Sequence, residues 1–171
     1  MYRIVLSVLT CVFFVVSGGG IATAQVPSNC DLESLDGPSR FLLRCEGGMV
    51  LEIEAEAVVT FQNEEDGLPG QVTVEQGAVL VEITPGGVTP QIRTPNAITA
   101  VRGTTYAVEV SDRATAVFVV SGQVDVRKID DSDSAVLLDA GEGVDVRSDE
   151  PLAVAVWSDT RARALLTRFG R

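Results

Sequence analysis

Beyond Met49 the chain alternates β-branched with polar residues, and turn-forming residues interrupt the alternation about every eight to twelve positions, the pattern of an all-β domain. Leu51 and Ile53 alternate with Glu52 and Glu54, which predicts one or two strands between Met49 and Thr60. Asn63-Glu64-Glu65-Asp66-Gly67-Leu68-Pro69-Gly70 predicts an exposed turn, and Val72-Val74 and Val79-Val81-Ile83 two strands divided by Gln76-Gly77. Pro85-Gly86-Gly87 breaks the chain again. Thr104, Tyr106, Val108 and Val110 then share one face of a strand, with Thr105, Ala107 and Glu109 on the other. Ser111-Asp112-Arg113 turns into a strand over 115–120, and Ser121-Gly122 turns that strand into Val124-Val126. A polar loop over 130–134 precedes Val136-Leu138, Gly141-Glu142-Gly143 leads to Val144-Val146, and Pro151 opens a last strand, Leu152 to Val156.

Three segments place alternating valines after a glycine: Gly77-Ala78-Val79-Leu80-Val81, Gly122-Gln123-Val124-Asp125-Val126 and Gly143-Val144-Asp145-Val146. Their spacing is unequal, so no fixed rung is defined. The expected fold is a sandwich or roll of short, mostly antiparallel strands, with solenoid-like stacking left open. From Trp157 alternation stops. Ala162, Ala164, Leu165, Leu166 and Phe169 recur among four arginines, which predicts a short amphipathic helix with Asp159 as N-cap. Its apolar face is expected to cover one end of the sheet while the arginines meet acidic neighbours; the alternative is a tail that waits for a partner.

The first residues bear on compartment. Arg3 precedes an apolar run from Ile4 to Val16, and Ser17-Gly18-Gly19-Gly20 leads to Ala22-Thr23-Ala24. This is the layout of a secretory signal peptide over residues 1–24, cleaved before Gln25. The run is shorter than the ~20 apolar residues of a spanning helix. The expectation is a periplasmic or secreted chain with no stable membrane insertion. Cys11 falls in the leader, which leaves Cys30 and Cys45 in an exported protein, where a disulfide is the default. The expected organisation is therefore a disulfide-closed segment over 25–46, a β domain over 47–147, and a last strand and helix over 148–171.

Charge and composition remove whole classes of function. The formal net charge of −11 opposes nucleic acid and anionic membrane alike. There is no histidine, so Ser-His-Asp triads, Cys-His dyads and histidine-based zinc sites are absent together. The acids fall mostly on turns and outward strand positions, the pattern of a solvated face, so no catalytic residues, cofactor or metal ligands are assigned and the chain is read as not an enzyme. Glu64-Glu65-Asp66 and Asp130-Asp131-Ser132-Asp133 carry hard oxygen ligands of the kind calcium takes, without EF-hand spacing. Scarce aromatics argue against a sugar-stacking site.

One stretch carries a resemblance. Thr94-Pro95 leads to Arg102-Gly103-Thr104, Tyr106 and alternating valines, then to a valine-rich strand that closes on Gly122-Gln123-Val124-Asp125-Val126, and Leu138-Asp139-Ala140-Gly141-Glu142 follows. This resembles the FecR domain, from about residue 47 to 146. The resemblance implies an exported β module related to the periplasmic, sensing portion of transmembrane anti-sigma regulators. The sequence is expected to carry that portion alone, without the sigma-binding segment, the membrane helix or the further domain. Thr94, Pro95, Arg102, Gly103, Thr104, Tyr106, Gly122 and Gly141 are then structural family positions, Gly103 marking a bulge or close backbone approach inside a strand run. The functional expectation is a non-enzymatic binding or adaptor domain with an envelope protein partner. A sensor for a small molecule or envelope glycan and a calcium-stabilised module are the alternatives.

Overall fold

The computed structural model describes residues 26–131 and 133–171, so the expected leader at 1–24 lies outside the described residues. Thirteen strands form one continuous mixed sheet that folds over into two layers. The first layer runs in the order β1 (Cys30–Leu35), β2 (Arg40–Cys45), β3 (Met49–Glu54), β5 (Pro69–Ile83), β8 (Thr105–Val110), β9 (Thr115–Ser121), β12 (Glu142–Val146) and β13 (Ala155–Val156). The second runs β4 (Val58–Asn63), β5, β6 (Gln91–Arg93), β7 (Ala97–Val101), β10 (Gln123–Lys128) and β11 (Ala135–Asp139). All pairs among the described strands are antiparallel except β5 with β6. The fold is thus mostly strand with one short C-terminal helix, α1 (Asp159–Leu166).

Strand β5 is the hinge of the architecture. Gln76-Gly77 does not divide two strands, as its turn-like composition predicts; the strand is continuous over 15 residues. Its first half pairs with β4 and β6 in the second layer, and its second half with β3 and β8 in the first. The change of layer falls at Gly77, whose φ is +83°. A glycine with positive φ also stands at three later crossings between layers. Gly103 (φ +62°) lies between β7 and β8, Gly122 (φ +84°) between β9 and β10, and Gly141 (φ +87°) between β11 and β12. Ser121-Gly122 is therefore not a hairpin: β9 and β10 lie in different layers and do not pair. Gly103 likewise sits in a turn and not inside a strand. The glycine-valine segments mark corners where a strand switches sheets, a feature of sharply folded sandwiches.

Inward residues from both layers make the main core. Leu43, Leu51, Val81, Tyr106, Val108, Val119 and Val144 of the first layer meet Val72, Val74, Ile92, Val124, Val126 and Leu138 of the second. The outward face of the first layer is also covered: Ala78, Leu80, Ala107, Ala116 and Phe118 pack under Trp157, Leu165 and Phe169 of the C-terminal segment. Strands buried on both faces lose clean alternation, which is why β5 and β9 contain the runs Ala78-Val79-Leu80-Val81 and Ala116-Val117-Phe118-Val119. The last strand is reduced to Ala155–Val156, because Pro151 to Val154 form no ladder. The helix is capped by Ser158, whose hydroxyl accepts from the Arg161 N–H at 3.3 Å, and Asp159 sits one place inside, in the first turn beside the positive end of the helix dipole.

Candidate functional site

The motif residues converge on the crossing between layers and are consumed there. Thr94 is buried in the turn between β6 and β7, where its Oγ1 accepts from the N–H groups of Asn96 (3.3 Å) and Ala97 (2.9 Å) and shares a 2.8 Å hydrogen bond with Thr115 Oγ1. Pro95 occupies the same turn. Thr104 Oγ1 donates to the Gln123 carbonyl at 2.8 Å and accepts from the Gln123 N–H at 3.3 Å, so one hydroxyl satisfies both backbone groups of the residue after Gly122. Gly122 is packed so closely that a Cβ would lie 2.7 Å from Thr104 Oγ1 and 2.8 Å from Gly103 O. Tyr106 is fully buried, its hydroxyl 3.0 Å from Thr99 Oγ1; burial raises its pKa well above the ordinary tyrosine value, a shift that the Thr99 hydrogen bond only partly offsets. Gly141 donates to the Val119 carbonyl at 2.9 Å. Arg102 is exposed, as Pro95 is, and its side chain has no hydrogen bond or ion pair among the described residues. Thr99, Thr115 and Gln123 complete this hub, and sequence reasoning missed them because they are ordinary strand residues whose partners depend on the crossing.

The outward acids beneath the C-terminal segment do not form the solvated face that their alternation suggests. Glu52 is buried, held at 2.7 Å by Arg40 Nε and at 2.7 Å by Arg171. Arg168 forks onto Glu54 and also reaches Glu109, and its hydrogen bond to Glu54 is the main reason its pKa is raised. Arg161 pairs with Asp145 at 2.5 Å while its guanidinium stacks 3.6 Å above the Trp157 ring, which in turn stacks on Phe118. The helix docks on its own domain, as the pairing of an apolar face with a basic rim implies.

Cys30 and Cys45 face each other across β1 and β2 and are disulfide-bonded. That hairpin is continuous with the first layer through β2 and β3. Among the described residues no group of three or more acidic or cysteine side chains is placed to hold a metal ion. In the loop after β10, Asp131 accepts from Ser134 Oγ at 2.7 Å, which holds its carboxyl below the ordinary range. Two shallow polar depressions of about 330 and 430 Å³ lie beside the disulfide and beside Thr94-Pro95, neither with an aromatic side chain in its wall. The apolar opening is elsewhere. Leu32, Phe41, Ile53, Ala57, Val59, Phe61 and Val26 line a groove of about 160 Å³ between the inner faces of β1, β2 and β3 and strand β4. Leu32 and Phe41 remain 47% and 38% exposed there, so two large apolar side chains stand in the opening uncovered.

A family model described as FecR protein matches residues 36–125. The match begins inside the disulfide hairpin, earlier than the motif alone suggests, and ends within β10. No curated protein matches the chain. Two crystal structures of a candidate anti-sigma factor from Parabacteroides distasonis are similar to it, each with a TM-score of 0.60 and 20% sequence identity over 80% of this chain. The similarity spans 64% of that protein's length, and at this identity it is a likeness of fold.

Proposed function

The chain belongs to the FecR protein family, and from that premise we propose that it is a non-enzymatic binding or adaptor domain of a signalling system, exported to the cell envelope and acting through protein contacts. The observation that carries this reading is the division of labour on its surface. Thr94, Thr104 and Tyr106 of the motif and the acids beneath the C-terminal segment are bonded within the domain, so neither group converges on a substrate. Of the exposed apolar side chains, Val26, Leu32 and Phe41 line an apolar groove, the concave and uncovered kind of surface that suits an interaction site. The export half of the proposal rests on the leader pattern over residues 1–24 and on the paired cysteines.

Affinity capture of the tagged protein from its native envelope, with quantitative mass spectrometry, tests the reading. A stoichiometric protein partner is expected, together with an intact mass that begins at Gln25. Recovery of the chain alone from the cytoplasm, with residues 1–24 retained, would remove both halves of the proposal.

A further inference from the structure

The two layers are unequal on one side of β5. Beyond it the first layer extends through three strands, β3, β2 and β1, whereas the second has β4 alone. The inner faces of β1 and β2 therefore overhang a place where the second layer lacks a strand, and that place is the apolar groove under Leu32 and Phe41. Among the described residues β4 pairs only with β5, so its other edge offers peptide N–H and C=O groups with no strand partner among them. Native edges are usually blunted by lysine, proline, an inward charge or a bulge; β4 reads Val58-Val59-Thr60-Phe61-Gln62-Asn63 with no such residue, and its ladder with β5 is irregular only at its two ends, Val58/Val59 and Gln62/Asn63.

Charge and size narrow the occupant. Glu56 precedes β4 and Glu64-Glu65-Asp66 follows it, with no lysine or arginine between residues 55 and 68. None of these four acids is in an ion pair among the described residues. The groove, at about 160 Å³, is smaller than the ~300–1,000 Å³ of ordinary small-molecule sites and suits a few anchoring side chains. A second copy would bring the same acidic rim and a formal charge of −11 against its own kind.

We propose that the free edge of β4 accepts an extended segment of a partner protein, apolar at alternate positions and basic at its ends, which adds a strand to the second layer and buries its apolar side chains beneath Leu32 and Phe41. Backbone pairing supplies the affinity, the groove selects the alternate side chains, and the acidic rim selects the ends. This rests on the protein-binding reading above and names its surface.

The test uses isotope-labelled full mature protein and the synthetic peptide KKVTVTVKK, with EEVTVTVEE and KKSTSTSKK as controls. The basic, alternating peptide is expected to shift the amides of β4 and the methyl groups of Leu32, and to bind at least about tenfold more tightly than either control. Leu32→Ser and Phe41→Ser, at exposed positions that leave the charge unchanged, are expected to melt close to the parent protein and to lose that binding. Shifts that map elsewhere, equal binding of the acidic-ended peptide, or affinity unchanged in both variants would overturn the proposal. So would a dimer in sedimentation that Leu32→Ser abolishes, since the groove would then belong to a second copy. An envelope partner that binds Leu32→Ser as well as the parent would remove the groove and leave the protein-binding reading standing.

Discussion

Gly122 and Gly141 have nearly the same backbone and very different surroundings. Their φ angles are +84° and +87°, so alanine at either pays the strain of the left-handed region, about 1–3 kcal/mol. At Gly141 nothing lies within 4 Å of a new Cβ, whereas at Gly122 it would meet Thr104 Oγ1 at 2.7 Å and the Gly103 carbonyl at 2.8 Å. Gly122→Ala is therefore predicted to destabilise the domain clearly more than Gly141→Ala in urea denaturation, and equal losses would show that crowding at the crossing is unimportant. Tyr106 gives a second prediction. Its folded pKa is raised by burial, so the unfolded chain ionises first as pH rises. Stability from this group is complete below the unfolded value of about 10 and is lost as pH climbs beyond it. Tyr106→Phe should cost about 1 kcal/mol at neutral pH through the lost Thr99 hydrogen bond and should flatten the decline of the urea midpoint above pH 10. The sequence exposes Thr104 and Tyr106 as motif positions, but their partners Gln123 and Thr99 are legible only once the layer crossing is known.

At the level of elements, alternation locates strands and leaves open which layer each strand joins. Gln76-Gly77 has the composition of a turn, yet neighbouring strands on both sides hold β5 continuous through it, so tertiary pairing overrides the local signal. The helix is more legible, because apolar and basic residues at helical spacing state both its contact and its rim. Its bed is hidden: the sequence places Ala78 and Gly143 in the glycine-valine segments and gives Ala107 and Ala116 no role, and only the structure shows that small residues there make room for Trp157 and Leu165. A Cβ on Gly143 would lie 2.4 Å from the Trp157 indole nitrogen. Gly143→Ala is predicted to push the ring off Phe118 and red-shift the emission of Trp157, the single tryptophan of the chain. Truncation after Val156 removes Trp157, Leu165 and Phe169, each worth about 1.5–3 kcal/mol by burial, and takes Arg168 and Arg171 away from Glu54, Glu109 and Glu52. The truncated protein should melt far below the parent, and an unchanged melting temperature would mean that the helix belongs to a partner.

The whole molecule is tied together by β5, which contributes ladder bonds to both layers, while β2 and β3 carry the disulfide hairpin into the same sheet. The cysteine count marks a disulfide-closed segment before residue 47; that its hairpin continues the sheet through β2 and β3 is a link no residue pattern encodes. Neither layer can be lost while the other keeps its core, so unfolding is predicted to be a single transition with matching calorimetric and van't Hoff enthalpies. The Cys30–Cys45 bond closes a loop of 15 residues, and in the chain-entropy view such a loop is worth about 3 kcal/mol. Reduction should therefore lower the melting temperature by roughly 6–12 °C, at about 2–4 °C per kcal/mol for a domain near this size, and still leave one transition. A separate early transition on reduction, confined to the amides of β1 and β2, would show that the hairpin is an independent unit after all; its absence would fix the overhanging strands that roof the groove as part of the rigid core.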